Sequence, residues 1–186
     1  MRAATIAAPI PFMKRFKWLL VAIGVVVVLA VGVLVAGLSL PEQHQFVRTL
    51  KSAQKPEAVF KVLTDVTGFP RWNRNLQAVQ IIAPVEGHEA TRQTFNNGMV
   101  MTIVTSESVR PTRLVRTMID SGGPFSGSWT YDIKANAAGC DVVLTENGRY
   151  PNPLFRVMAR IFGLTKYADE HLQDLSTKLG EEAEIK

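Results

Sequence analysis

An apolar run near the N-terminus divides the sequence into two parts that suit different environments. From Trp18 to Leu40 the chain has 23 residues, with Ser39 as the one polar side chain among them. As an α-helix this run is about 34 Å long at about 1.5 Å per residue. That length crosses a hydrocarbon core about 30 Å thick. We therefore predict a basic segment over residues 1–17, a transmembrane helix over 18–40 and a folded domain over 41–186.

The charges beside the run predict its direction in the membrane. Lys14, Arg15 and Lys17 precede it, whereas the chain beyond it begins with Pro41 and Glu42. Basic residues stay on the cytoplasmic side. The pattern predicts a single-pass protein of the inner (cytoplasmic) membrane with a cytoplasmic N-terminus and an extracytoplasmic domain. The alternative is a cleaved signal peptide, although the hydrophobic region of such peptides is commonly only about 7–15 residues long.

The charge of the folded domain differs from that of the whole chain. The chain has 21 Lys and Arg against 16 Asp and Glu, and four of the basic residues precede the apolar run. The domain is therefore almost neutral, without the basic stripe that a nucleic-acid-binding surface carries. Cys140 is the only cysteine, so the chain forms no internal disulfide.

Alternating apolar residues and turn signals predict a mainly antiparallel β domain. A helix is expected over 55–63, where Pro56 marks its first turn. After Pro153, apolar residues recur every three or four positions as far as Leu179, which predicts one helix of about 26 residues with a bend at Gly163. The strands are expected at 43–52, 78–83, 91–95, 99–107, 113–119, 128–134 and 140–149. We predict an α+β fold in which a curved antiparallel sheet of about seven strands wraps around a long C-terminal helix.

Four short motifs occur in this order along the chain: KPEAVF at 55–60, Asp65 with FPRWN at 69–73, FSGSWTY at 125–131 and ExG at 146–148. Together they resemble those of the START-like superfamily, specifically the bacterial polyketide cyclase/dehydrase-type (SRPBCC) proteins with the helix-grip fold. The resemblance covers about residues 43–180 and implies a deep apolar cavity between the sheet and the C-terminal helix. Members bind or carry lipids, sterols, quinones or aromatic compounds, and a minority catalyse cyclisation or dehydration. The N-terminal anchor is a departure from most relatives.

The residues predicted to line this cavity are aromatic, aliphatic and thioether side chains together with one carboxylate. Aromatic rings stack on a ring-bearing ligand, and methionines give a pliable apolar lining. Ordinary core packing is the alternative for the same residue types. The predicted ligand-binding residues are Trp72, Met101, Ile103, Trp129, Tyr131, Glu146, Met158 and Phe162.

The sequence predicts no catalytic set, no metal site and no cofactor. Its histidines lack metal-ligand spacing, and we expect His44 and His171 to be solvated near the ends of elements. A carboxylate in an apolar cavity can serve as an acid or base, which makes Glu146 and Glu107 the candidates for catalysis. The competing expectation is that Glu146 lies outward or pairs with an arginine such as Arg149 or Arg113.

The leading hypothesis is a membrane-anchored domain that binds or transfers a hydrophobic small molecule such as a lipid, a quinone or an aromatic compound. A tether raises the local concentration of the domain at the bilayer that holds such a ligand. Two alternatives stay open. One is a cyclase/dehydratase-type enzyme that uses a cavity carboxylate, and the other is a partner-binding module whose cavity is filled by its own side chains.

Overall fold

A computed structural model describes residues 12–119 and 125–186, with side chains from residue 16 onward. Most of the predicted basic segment and the predicted turn at 121–124 lie outside the described residues. A 3₁₀ helix at Val66–Arg71 follows α2. The elements are α1 (Phe12–Ser39), β1 (Gln43–Ser52), α2 (Pro56–Thr64), β2 (Leu76–Val85), β3 (His88–Phe95), β4 (Val100–Val109), β5 (Arg113–Met118), β6 (Ser126–Asn136), β7 (Gly139–Arg149), α3 (Pro153–Phe162), α4 (Lys166–Lys178) and β8 (Glu184–Ile185).

The apolar run lies within α1. Residues Phe16–Ser39 are long and apolar enough to cross a membrane. From residue 16 to the end of α1 the side chains are exposed, and Gly37 alone in that stretch is buried. Such a surface suits lipid rather than water.

The strands form one antiparallel sheet in the order β2-β3-β4-β5-β6-β7-β1-β8. The seven predicted strands are present, and the eighth is the short β8, which pairs with β1 at one edge. β1 and β7 pair along their whole length, from Gln43 opposite Arg149 to Ser52 opposite Cys140. The predicted α+β class and antiparallel sheet are confirmed.

The main core lies between one face of this sheet, which we call the inner face, and the helices α2 and α4. Period-two alternation sends every second strand residue to the inner face. The fully buried members of the core come from both layers. They are Leu50, Val59, Leu63, Leu114, Ile133, Cys140, Val142, Leu144, Leu172 and Leu175.

The prediction of a single C-terminal helix was wrong, because α3 and α4 are separate. Gly163 ends α3 with φ +88° and ψ 122°, a backbone conformation that glycine adopts without the steric penalty of a Cβ. The apolar period continues through the break at Leu164 and Ala168, so periodicity alone does not reveal it. α4 packs on the sheet, whereas α3 has no buried residue and contacts α1.

Candidate functional site

One row of inner-face residues crosses four neighbouring strands and contains a carboxylate, a guanidinium and an indole. Strand register places Phe46 opposite Glu146, Glu146 opposite Trp129, and Trp129 opposite Arg116. Directly opposed residues in antiparallel strands share a face. The row therefore brings two predicted residues, Trp129 and Glu146, next to Arg116, which the sequence analysis missed.

Two hydrogen-bond donors hold Glu146 on the inner face. Trp129 Nε1 donates to Oε2 at 2.6 Å, and His44 Nε2 is 3.3 Å from Oε1. The His44 contact is a donation to the carboxylate when the ring carries a proton on Nε2. The side chains of His44 and Glu146 keep only 10% and 15% of their surface exposed. The expectation that His44 is solvated was wrong.

The arginines expected to pair with Glu146 have other partners. Arg113 binds Glu107 at 3.0 Å and Asp132 at 2.6 Å. Arg149 is paired with Glu42. Glu107 leaves 44% of its side chain exposed in this pair, so it lies outside the inner-face site.

The His44 ring is fixed by stacking as well as by Glu146. It lies against Phe46, with ring centroids 6.0 Å apart, and against Tyr150 at 5.0 Å. Gly148 faces the ring on β7, and a side chain at Gly148 would overlap it. His44 Nδ1 is buried without a hydrogen-bond partner among the described residues.

Arg116 is a buried cation with no carboxylate in salt-bridge contact among the residues that the structure describes. It is 6% exposed. Its Nη2 donates to the Leu63 carbonyl at 2.6 Å, and the guanidinium lies 4.9 Å from the centre of the Phe69 ring. Its Nε is buried and has no hydrogen-bond partner in the part of the chain that the structure describes, and desolvation lowers the pKa of the guanidinium. Burial of an unpaired charge is unfavourable by several kcal/mol, so Arg116 is suited to an incoming acceptor oxygen.

A directed chain of hydrogen bonds reaches Tyr131 from the segment after the 3₁₀ helix. The backbone N–H of Asn75 donates to Asn73 Oδ1 at 3.0 Å. Asn73 Nδ2 is therefore the atom that donates to His171 Nδ1, at 3.1 Å. Neutral His171 then carries its proton on Nε2, 3.1 Å from the Tyr131 hydroxyl oxygen. The phenol accepts from His171, so its own proton is available to another acceptor.

Burial keeps both titratable members of this hydrogen-bond series, His171 and Tyr131, neutral at physiological pH. Desolvation, assisted by the Arg116 charge, lowers the pKa of His171 to about 4. Desolvation raises the pKa of Tyr131 to about 12. The ring of His171 packs among Phe69, Trp72 and Tyr131, so the expectation that it is solvated was wrong.

Local contacts hold in place the segment that begins this series of hydrogen bonds. Asp65 caps the 3₁₀ helix by accepting from the Gly68 amide at 3.2 Å and the Thr67 hydroxyl at 3.0 Å. Just beyond it, the Arg74 amide and Nε each donate to Asp174 of α4 at 2.8 Å. These contacts hold the segment that bears Phe69, Trp72 and Asn73 against α4.

An apolar cluster adjoins the Arg116 end of the row. Its buried members are Met101, Ile103 and Met118. Trp129 packs against both this cluster and the main core, which contains Tyr131 and borders Trp72. Five predicted lining residues therefore lie in or beside these two clusters. The partly buried residues packed on the cluster are Phe95, Met99, Phe125 and Trp129.

The structure does not bring the other two apolar lining candidates to the inner face. Met158 and Phe162 lie on α3 and are 39% and 68% exposed. Their predicted place on the inner face depends on a single C-terminal helix that packs across the sheet. The break at Gly163 gives α3 a different neighbour, α1.

One of the two described depressions reaches the apolar cluster at Met118. Depressions of about 720 Å³ and 520 Å³ both border the ends of β1 and β7. The larger one is lined mainly by polar residues of the outer face, such as Gln45, Ser128 and Asn147, together with His44 and Met118 of the inner face. Neither is the apolar cavity that the resemblance implies.

Arg116 could have been found from the sequence. β5 reads RLVRTM, and Leu114, Arg116 and Met118 occupy one face with period two. A charged residue in the apolar phase of a strand is a sign of a buried polar site. His171 carries no such sign, because its burial depends on the packing of α4 against residues near position 70.

Most of the chain matches a known protein family. Residues 43–180 match the protein family described as polyketide cyclase / dehydrase and lipid transport. No curated protein matches the chain.

Solved structures share the fold at low sequence identity. The Zhui aromatase/cyclase from Streptomyces sp. R1128 is 15% identical, with 72% of this chain and 90% of that chain covered and a TM-score of 0.57. A START superfamily protein from Mycobacterium smegmatis is 15% identical over 73% of this chain and 99% of that one, with a TM-score of 0.54. The di-domain ARO/CYC StfQ of the steffimycin biosynthetic pathway is 10% identical over 72% of this chain and 49% of that one, with a TM-score of 0.60. These similarities confirm the helix-grip fold.

Proposed function

Since this chain belongs to the polyketide cyclase/dehydrase and lipid transport family, a family of hydrophobic ligand binding or cyclase-type function, we propose that it binds or transfers an amphiphilic small molecule at a membrane. The ligand has an apolar body, such as that of a lipid, a quinone or an aromatic compound. That body contacts the cluster of Met101, Ile103 and Met118, and an oxygen-bearing end reaches Arg116 and Tyr131.

The observation that carries the proposal is the unpaired, buried guanidinium of Arg116. A buried cation that has no carboxylate partner among the described residues is stabilised by a ligand that brings an anionic or carbonyl oxygen. Tyr131 offers a second donor nearby, because the His171 contact leaves its proton free. Apolar side chains occupy the same face on the Met118 side.

A membrane anchor would hold the domain close to its apolar ligand. α1 is long and apolar enough to span a bilayer. The basic residues before it favour a single-pass anchor in the inner membrane with the domain on the extracytoplasmic side. A domain held there meets apolar ligands at the surface where they are concentrated.

The test is native mass spectrometry of the full chain released from detergent micelles, followed by organic extraction and identification of what is bound. We expect one amphiphile per chain, with a carboxylate, phosphate or carbonyl at one end. An empty chain that also takes up no apolar probe would contradict the proposal and support a partner-binding module.

A variant pair tests the role of Arg116. Binding of a fluorescent fatty acid is compared with binding of its methyl ester in the full chain and in Arg116→Gln. Loss of a charge-assisted hydrogen bond weakens binding of the acid by about tenfold or more and the ester by less. The matched control is Arg113→Gln, because Arg113 is partly exposed and paired with Glu107 and Asp132. Equal losses in both variants would contradict a ligand contact at Arg116.

A cyclase/dehydratase-type activity is the second candidate, favoured by the buried Glu146 contact with His44. Glu146 accepts from two donors on the inner face, and a carboxylate in such a place is suited to proton transfer. The extracted ligand is incubated with the full chain and with Glu146→Gln, and loss of one water from the ligand is followed by mass spectrometry. Water loss that stops in the variant supports catalysis, and an unchanged ligand with both proteins supports binding alone.

A further inference from the structure

α3 carries an exposed apolar stripe that no described residue covers. Leu154, Met158, Ile161 and Phe162 are 51%, 39%, 72% and 68% exposed. Their spacing of four, three and one residues places them on one side of a helix. We call these four residues the α3 stripe.

α3 is fixed to α1 near the end of the predicted membrane span. Gly37 lies against Pro153, the first residue of α3, and any side chain at Gly37 would overlap the Pro153 carbonyl. Gly37 precedes the last residue of the apolar run, Leu40, by three positions, or about 4–5 Å along the helix axis. α3 therefore begins at the depth where hydrocarbon meets headgroups.

An arginine fastens this junction from the domain side. Arg156 Nη1 donates to the Leu40 carbonyl at 3.3 Å, and its Nη2 bonds the Glu42 carboxylate at 3.2 Å. Arg156 also donates to the Tyr150 carbonyl at 2.7 Å and the Pro151 carbonyl at 2.8 Å. The bonds tie the end of α1 to the start of α3, so the two helices keep their relative depth.

A lipid surface is the occupant that fits the stripe. α3, which carries the stripe, contacts α1, and the exposed apolar sides of α1 themselves suit hydrocarbon. Arg160 lies on the other side of α3 and is exposed, where a guanidinium meets lipid phosphates while its stem rests on apolar surface. Helices with this division of residues lie with the apolar side about 5–10 Å into the headgroup and acyl boundary.

We infer that α3 is a membrane-surface helix, whose stripe of Leu154, Met158, Ile161 and Phe162 inserts into the bilayer that α1 crosses. α1 and α3 then form a two-point attachment that fixes the orientation of the sheet above the lipid. The inference depends on α1 spanning the bilayer and is independent of whether Arg116 binds a ligand.

The test places a fluorophore on each side of α3 in the full chain. Ile161→Cys and, as a matched control, Arg160→Cys are labelled with an environment-sensitive dye in phosphatidylcholine vesicles. Cys140 is fully buried, and burial raises the pKa of its thiol to about 11, so it does not compete for the label. Quenching is measured with a nitroxide on the lipid acyl chain and with iodide in water.

We expect the label at position 161 to be quenched several-fold more by the lipid nitroxide than the label at 160, and several-fold less by iodide. Equal access of iodide to both positions would overturn the inference, because the stripe would then face water. Protection of position 161 from both quenchers would overturn it as well, since a second copy or another protein would then cover the stripe. Met158→Cys repeats the measurement should Ile161→Cys fail to fold.

Discussion

α3 and α4 are neighbouring amphipathic helices with similar apolar spacing and opposite fates. α4 buries Ala168, Leu172 and Leu175 against the sheet. α3 buries none of its residues and contacts α1. The apolar side of a helix therefore does not by itself predict which element the helix packs against. In this chain the partner of each helix is decided by Gly163 and by the presence of an N-terminal apolar helix.

The same comparison explains where polar side chains are held. On α4, Asp174 is buried and bonded to Arg74, and His171 is packed among aromatic rings. On α3, Arg156 bonds the chain at the end of α1. α4 packs with the residues around Arg116 and Tyr131, whereas α3 is bonded to the end of α1.

The largest predicted effect is a difference in the free energy of unfolding between a variant of α4 and a variant of α3. Leu172→Ala removes a fully buried side chain and should lower the free energy of unfolding by about 3 kcal/mol. Leu154→Ala on the exposed stripe should change it by less than about 0.5 kcal/mol. The measurement is urea denaturation of the full chain in detergent micelles, followed by tryptophan fluorescence. Similar losses in both variants would show that α3 contributes to the same core as α4.

Regular patterns in the sequence predicted the strands because those patterns are local. Alternation over 43–52 depends only on neighbouring residues, and β1 has the predicted bounds. The row that joins Arg116 to Trp129 and Glu146 depends on the register of three separate strands, which alternation does not specify. The sequence predicted a bend at Gly163 rather than a full break, because the apolar period resumes in the same phase at Leu164.

The second prediction concerns pH and α4. The pKa of His171 falls from 6.5 to about 4 on folding, chiefly by desolvation. The unfolded chain therefore binds the proton more readily, so this contribution to stability is complete above pH 6.5 and decreases as the pH falls towards 4. Between pH 7 and pH 5 the loss is about 2 kcal/mol. Thermal or urea unfolding across this range measures it.

The control for His171 is an exposed histidine in the same chain. His171→Gln should remove most of this pH-dependent loss, whereas His88→Gln should leave it unchanged, because His88 is exposed at the start of β3. An identical pH profile in all three proteins would mean that His171 is solvated in the folded state. That result would also remove the reason for assigning its proton to Nε2.

The smallest predicted effect is local to α3. Arg156→Leu removes the bonds to Leu40, Glu42 and two carbonyls, so α3 should open more often while α4 stays packed. Amide hydrogen exchange in α3 should accelerate by about tenfold, equivalent to about 1.4 kcal/mol, with α4 unchanged. Arg160→Leu is the control, because the exposed Arg160 should contribute little. Faster exchange throughout both helices would mean that the junction with α1 stabilises the whole domain, and the two helices would then be one cooperative unit.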